Sequence, residues 1–484
     1  MMRGLVWFRR DLRIQDNPAL TAAVEECEEV VPLFIFDEAL LQSQMFGSAC
    51  VNFMLRSLHE LSVGLSRLGL ELTWRRGNPS DELMATVRER GIDHIYWNRD
   101  YEPTAVERDR IIHQWMCQQG VNAQTFKDHV VFEADEVRGS TGKALQRYGA
   151  YRKRWWERWR TAAPSVLPRP TPRQRPVDLV TARKISWPSA EDLGYETVAP
   201  WIAPGEEAAL RRLDWFVSGP IHSYSTKRNV PAEDGTSRLS PHFRFGTITP
   251  RTAVHAAMAT LSNRGAVSRT DVLTWIEEII WRDFFQQVLV SFPAVAAGPF
   301  RADAAMPPAR EPGRDRDRPY EAWRDGRTGY PIVDAGMRQL MQTGWMHNRV
   351  RMIVASFLVK DLRLDWQSGE RHFMRQLLDA DMAANNGNWQ WCTGTGTDAM
   401  RPARIFNPAL QSKRFDAEGR YIRTYIPELA RVPSSLIHEP HLMSPDQQQR
   451  FACRIGKDYP EPIVDHSRAR QEYLELARRA KDPR

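Results

Sequence analysis

The hydrophobic rhythm of this chain changes once along its length, and that change limits the architecture more than any single motif does. In residues 1–130, short β-branched or aromatic runs at 5–8, 30–36, 70–74 and 94–97 alternate with helical patterns near 18–28, 50–68, 79–90 and 104–119. That alternation predicts a parallel sheet with helices on both faces, which binds ligands at the carboxyl ends of its strands. Between Pro164 and Pro204 prolines crowd among arginines, the composition of an extended connector. Beyond it strand-like runs nearly vanish, and helical patterns dominate at 250–261, 271–291, 331–343, 347–361 and 370–379. The fold class read from this is α/β: a Rossmann-like parallel-sheet domain over 1–130, a linker over 131–200, and an all-α domain over 201–475.

Length and charge narrow the function. A chain of 484 residues can bury more than one core, and a formal net charge of +7 leans toward a polyanionic partner. The five cysteines are scattered with no C-x-x-C pair, which points away from zinc and from a disulfide framework. Arg3, Arg9, Arg10 and Arg13 flank only a short apolar run, so the N-terminus reads as no signal peptide. With no apolar stretch of membrane-spanning length, a cytoplasmic monomer without membrane or metal partners is expected.

The densest chemistry lies in the thirteen residues from Asp379 to Trp391, with two carboxylates, adjacent amides at Asn385 and Asn386, and indoles at Trp389 and Trp391. Acids and amides can hydrogen-bond the edge of a flat heteroaromatic cofactor while indoles stack or pass electrons; the same residues also suit a tryptophan-rich core turn. Asn385-Asn386-Gly387 should interrupt a helix and leave the tryptophans beyond its end or a kink. Upstream, Gly235 through Ser240 offers hydroxyls, backbone N–H groups and Arg238 to a phosphate, or Ser240 simply caps a helix opened by Pro241. Trp275, Glu278 and Arg282 share a helix face with Trp281 beside them, and a carboxylate among indoles is costly unless paired or used. Trp345, Asn348 and Met352 recur at helical spacing beside Arg349 and Arg351, which suit phosphate or carboxylate. The match of 394–399 to a dinucleotide fingerprint follows no strand pattern and is rejected.

Together with Val6-Trp-Phe-Arg-Arg-Asp-Leu-Arg13, Asp16-Asn-Pro18, Gly329-Tyr-Pro-Ile-Val-Asp334 and Arg404-Ile-Phe-Asn-Pro408, these segments resemble the cryptochrome/photolyase family over residues 4–475. The likeness is greatest to its bacterial class I members acting on cyclobutane pyrimidine dimers. The resemblance implies an antenna domain, a helical domain holding one FAD, and docking of UV-damaged DNA. By position, Tyr224, Thr236, Ser237, Arg238, Leu239 and Ser240 match binders of the FAD phosphates and ribityl chain. Trp275, Arg351, Asp379, Asp381 and Asn385 match the flavin-ring surroundings, with Asn385 facing N5. Glu278, Trp281, Asn348, Met352 and Trp391 match the lesion pocket; relatives acting on (6-4) lesions carry histidines at the positions of Asn348 and Met352. Arg228, Arg349 and Arg404 are implied grips on DNA phosphates, with Arg282 in the same DNA-binding set.

Trp389 and Trp366 match the inner two members of an electron-transfer chain whose outer position falls near Gly313, with Tyr320 and Trp323 nearby. Thr104 and Ala296 stand where folate ligands are expected, whereas Asp100, Glu102 and Arg244 resemble a deazaflavin set, so a deazaflavin antenna is preferred over folate. The alternative is a blue-light receptor of the same fold. Asn385 in place of the aspartate of plant receptors, Trp391, and the short stretch after the helical pattern at 467–480 argue for the repair enzyme.

Overall fold

A computed structural model describes residues 2–43, 45–171, 186–261, 268–302, 304, 306–309, 314–400 and 404–481, the side chains of 314–317 excepted. Gly313, the expected outer electron-transfer position, lies outside the described residues. The chain divides into two compact units: Met1–His222 with Ser237–Ala296 and Leu378–Ala384, and Ser223–Thr236 with Ala297–Leu377 and Asn385–Arg484.

The first unit contains a five-stranded sheet of β1 (Arg3–Phe8), β2 (Glu29–Asp37), β3 (Thr73–Gly77), β4 (His94–Asn98) and β5 (Asn122–Phe126). All pairings are parallel and the order is β3-β2-β1-β4-β5, so the direction of winding reverses between β1 and β4. A crevice at the carboxyl ends of those two strands is where such sheets place ligands. Leu5, Trp7, Leu33, Ile35, Ile95 and Trp97 pack with Leu83, Val87, Ile112 and Met116 of the covering helices into one core. Asn–Pro pairs start two of those helices: Asn17 accepts from Leu20 N ahead of Pro18–Glu26, and Asn78 accepts from Ser80 N ahead of Pro79–Arg90.

Two strands differ from the sequence expectation. The run at 70–74 becomes β3 three residues later, because Leu70 and Leu72 are buried before the ladder begins. The polar sequence of β5, Asn-Ala-Gln-Thr-Phe, shows no apolar run, since an edge strand has one neighbour and one wet side. The expected linker span also contains the helix Tyr148–Ala162, whose Tyr148, Tyr151, Trp155 and Trp159 are buried at helical spacing. From Glu206 onward the described residues hold helices and no strand.

The motif around Arg13 and Asp16 is structural. Arg13 and Arg251, both nearly fully buried, converge on Asp128, and Arg251 also pairs with Asp16.

Candidate functional site

In the first unit the strand ends next to the β1/β4 reversal assemble a charged web. Arg10 lies just past β1, Asp100 and Glu102 just past β4, and His129 just past β5. Arg10 donates from Nη1 to Asp100 (3.2 Å) and Glu102 (2.7 Å), and from Nη2 to Asp381 (2.5 Å) and His129 Nε2 (2.6 Å). Arg282 donates to the same Nε2 (2.6 Å) and to the His129 carbonyl. A ring nitrogen accepting from two guanidiniums carries no proton, so His129 is the neutral Nδ1–H tautomer. Burial, reinforced by Arg10 and Arg282, lowers its pKa to about 3.

Asp381 is the centre of this web. Its carboxylate also accepts from Gln286 Nε2 (3.1 and 3.2 Å) and from Ala384 N (3.0 Å). Burial raises its pKa, but Arg10 and the other donors outweigh that and hold it well below the ordinary carboxylate value. Gln286 Oε1 is buried without a partner beside it. Arg244 lies over Phe46 (5.0 Å) with Nε and Nη1 buried and unpartnered. Asp379, only 9% exposed, is in the same unit.

The helix Arg269–Ser291 carries the next group. Trp275 is buried against Phe216, with ring centroids 5.1 Å apart. Trp281 is half-buried, and Tyr148 stacks on it at 3.6 Å and 7°. Glu278 is half-buried on the preceding turn. In the phosphate-like segment, Ser237 accepts a bond from Arg212 Nε (2.8 Å) and Leu239 is fully buried. Arg238 adopts φ +51° with its guanidinium 4.7 Å from the Trp201 ring. A non-glycine residue is held in that region only by its surroundings. Ser240 does not cap: the six-residue helix Ser240–Phe245 has Leu239 at its N-cap, without a side-chain cap bond. Pro241 thus occupies the second helical position rather than the first, still free of a required N–H.

The second unit corrects one expectation directly. The helix Met382–Thr393 runs through Asn385, Asn386 and Gly387, and both tryptophans lie inside it. Local propensity is overridden by side-chain anchoring: Asn385 Nδ2 donates to the Glu370 carbonyl (3.0 Å), and Asn386 Nδ2 to Glu370 Oε1 (2.9 Å). Gln390 Nε2 then donates to Asn386 Oδ1 (2.9 Å). Burial raises the Glu370 carboxyl to about 7.

Trp389 is buried against Phe373 (5.1 Å) and Trp323 (6.4 Å), and its indole N–H is buried without a partner. A Cβ on Gly369 would stand 2.2 Å from Trp389 Cη2, so glycine there makes room for the indole. Tyr320 lies 6.0 Å from Trp323. Trp366 is buried at the first position of Trp366–Gln376, and Trp391 is half-buried.

Trp345 precedes the helix Asn348–Ser356 rather than sharing it, because His347 caps that helix by accepting from Arg349 N. Asn348 is exposed at the first turn and Met352 half-buried. Asn229 Oδ1 fixes Arg349 (2.7 and 3.1 Å), whose guanidinium lies over Phe415 (4.6 Å). Arg351 Nε donates to Met346 O (2.8 Å), and Arg228 lies 5.6 Å from the Tyr224 ring. Thr236 is half-buried. Arg404 lines a hollow of about 530 Å³ with Phe406, His466 and Arg470.

Sequence reasoning missed Arg10, His129, Gln286 and Glu370. Arg10 carried a usable signal, a charged residue just beyond a buried strand at the reversal point; the other three carried none.

Two family models cover most of the chain: DNA photolyase matches residues 4–172, and the FAD binding domain of DNA photolyase matches residues 275–479. The chain is 38% identical to a deoxyribodipyrimidine photo-lyase of Agrobacterium fabrum, over 97% of this chain and 96% of that one. A solved bacterial class III photolyase from Agrobacterium tumefaciens is 35% identical with a TM-score of 0.86, covering 99% of this chain and 98% of that one. A Synechocystis cryptochrome, 27% identical, also superposes with a TM-score of 0.86 over 98% of this chain and 99% of its own.

Proposed function

The chain belongs to the cryptochrome/photolyase family, and from that premise we propose that it performs light-driven DNA repair, splitting cyclobutane pyrimidine dimers in UV-damaged DNA as a deoxyribodipyrimidine photo-lyase. The observation that carries this reading is likeness along nearly the whole chain to enzymes so named. The fold itself is shared with a cryptochrome, so fold alone does not separate repair from signalling.

FAD fits the residues present. Gln286 Oε1 is a buried polar atom without a protein partner, and Asp381 beside it is an ionised acceptor fixed in place. Tyr224, Thr236, Ser237, Arg238, Leu239 and Ser240 would hold the phosphates and ribityl chain through hydroxyls, backbone groups and one guanidinium. Trp275, Arg351, Asp379, Asp381 and Asn385 would surround the ring. Bound FAD, reduced and excited by light, supplies the electron that opens the dimer.

The protein's own groups do the rest. Asp381, kept ionised by Arg10, would accept from a ring N–H. Asn385 offers an amide, which has no acidic proton to give, and beside a flavin ring nitrogen it would leave that nitrogen unprotonated. Trp281 and Trp391 replace the stacking that a flipped dimer loses, while Asn348 and Met352 line the pocket. Glu278 faces the pyrimidine carbonyls as they gain electron density and would donate to them when its carboxyl carries a proton. Arg228, Arg349 and Arg404 form the phosphate-contacting set, while Arg282 of the expected DNA-binding set is engaged with His129. Trp389 and Trp366 relay electrons inward.

A deazaflavin at Asp100, Glu102 and Arg244 is the antenna this reading favours; the unpartnered Nε and Nη1 of Arg244 support an acceptor-bearing ligand there. In functional terms residues 1–130 are the antenna domain, 131–200 the linker and 201–475 the catalytic domain of a cytoplasmic monomer. The test is the absorption spectrum of the purified protein before and after blue light, with and without irradiated oligothymidine. Flavin bands with loss of dimer under light are expected. Flavin bands that respond to light while dimers persist would favour the receptor.

A further inference from the structure

One strongly charged surface is not used by that reading. Residues 138–160 carry eight lysines and arginines against one acid, Glu157. The surplus of this single stretch equals the formal net charge of the whole chain, +7. Some of it is locally neutralised: Arg152 pairs with Glu277, Arg154 with Glu157, and Arg158 lies 3.8 Å from Glu136. Among the described residues no carboxylate pairs with Lys143, Arg147, Lys153 or Arg160, all of them exposed. Lys143, Lys153 and Arg154 rim an open hollow of about 430 Å³ with Ser140 and Thr141. Its floor is a tight turn closed by Gly139 N to Lys143 O (2.9 Å), with Gly142 at φ +75° and open space where its Cβ would be.

The same helix is bolted to Trp281. Tyr148, its first residue, stacks on that indole at 3.6 Å and donates to the Glu277 carbonyl at 3.0 Å. Trp155 donates its N–H to Asp283 of the same facing helix (3.0 Å). The basic surface is thus rigidly registered to a residue expected to stack on the lesion. An open basic hollow with hydroxyls on its rim fits a polymer's phosphates better than an enclosed small molecule.

We propose that the turn 139–145 and the exposed face of Tyr148–Ala162 grip the DNA phosphate backbone on the flank of the dimer, with Lys143, Lys153 and Arg154 as the contacts. This rests on the repair reading and adds to it a second anchoring surface, one that fixes register without reading sequence.

The test uses the flavin-loaded full chain and measures affinity against salt for dimer-containing duplexes of two lengths. The triple substitution Lys143→Gln, Lys153→Gln, Arg154→Gln should lower the slope of log affinity against log salt by roughly two to three units. It should also erase the advantage of the longer duplex. Glu157→Gln, which frees Arg154, should act the other way and tighten binding. Flavin absorbance and thermal midpoint serve as fold controls. A folded triple variant with wild-type slope and length dependence overturns the proposal. If the wild type instead binds dimer-containing and undamaged duplexes alike, the repair reading fails, and a lowered slope still assigns a polyanion to this face.

Discussion

Two regions carry the candidate chemistry by opposite means. Around Asp381, charges are taken out of water and satisfied by one another: Arg10 is shared among three carboxylates and His129 accepts from two guanidiniums. Around Trp389, the burial is aromatic and steric: the indole is fitted against Phe373, Trp323 and Gly369, and its one polar atom has no partner. A web of buried charges is intolerant of losing a member, because what remains is an uncompensated charge. A close-packed aromatic cluster is intolerant of gaining volume. The two regions should therefore fail under opposite kinds of substitution.

The largest effect is expected at Asp381. Asp381→Ala leaves Arg10 with two carboxylates rather than three and strips the acceptor from Gln286 and Ala384 N. Breaking a buried pair in this way costs about 3–5 kcal/mol, read as a lowered denaturant midpoint and loss of bound flavin. Asp381→Asn keeps an acceptor and should cost less. Equal losses for the two variants would show that the charge is immaterial there.

The contrast also explains what was legible in the sequence. β1, β2 and β4 were, because strands flanked by neighbours and covered by helices read as continuous apolar runs. The edge strands were displaced or invisible, having one dry side at most. Trp389 stood out because it lies with Asp379, Asp381, Asn385 and Trp391 in one short segment, whereas its packing partners Trp323, Gly369 and Phe373 come from elsewhere in the sequence. The charged web draws on residues 10, 100, 102, 129, 282, 286 and 381, and no local window contains two strand ends. The helix through Asn385-Asn386-Gly387 was misread for a related reason: Glu370, which anchors both amides, lies outside the window that propensity considers.

Gly369→Ala probes the aromatic side. The new methyl falls 2.2 Å from Trp389 Cη2 and 2.6 Å from Leu358, so the indole must move. Overpacking of this kind costs about 1–3 kcal/mol, and a displaced Trp389 should slow light-driven reduction of oxidised flavin, as Trp389→Phe should too. Wild-type kinetics in a folded Gly369→Ala protein would remove Trp389 from the donor position.

Trp281 tests whether an aromatic outside the cluster is used rather than merely packed. Tyr148 already covers one face of the ring, so a base stacking on Trp281 must use the other. Trp281→Ala should weaken binding of dimer-containing DNA by roughly 1–3 kcal/mol, whereas Glu278→Ala should lower repair yield more than affinity. If both substitutions reduce affinity and yield alike, the two roles are not separable.

The smallest effect separates the regions by the sign of their pH dependence. Burial raises the Glu370 carboxyl from 4.5 to about 7, against the Asn386 amide that donates to it. Between those values the folded protein keeps a proton that the unfolded chain has released, so stability is greatest below 4.5 and falls as pH rises through the window. Asp381 has the opposite sign: its pKa is depressed below 3.8, so its contribution is complete at neutral pH and fades only on acidification. Thermal midpoints measured from pH 4.5 to 7 should decline in the wild type and flatten in Glu370→Gln, which mimics the protonated acid and keeps an acceptor for Asn386. Over that same interval Asp381→Asn should shift the midpoint by a nearly constant amount. A decline that survives Glu370→Gln would assign the titration to another buried acid, with Asp283, raised to about 6 chiefly by burial, the next to substitute.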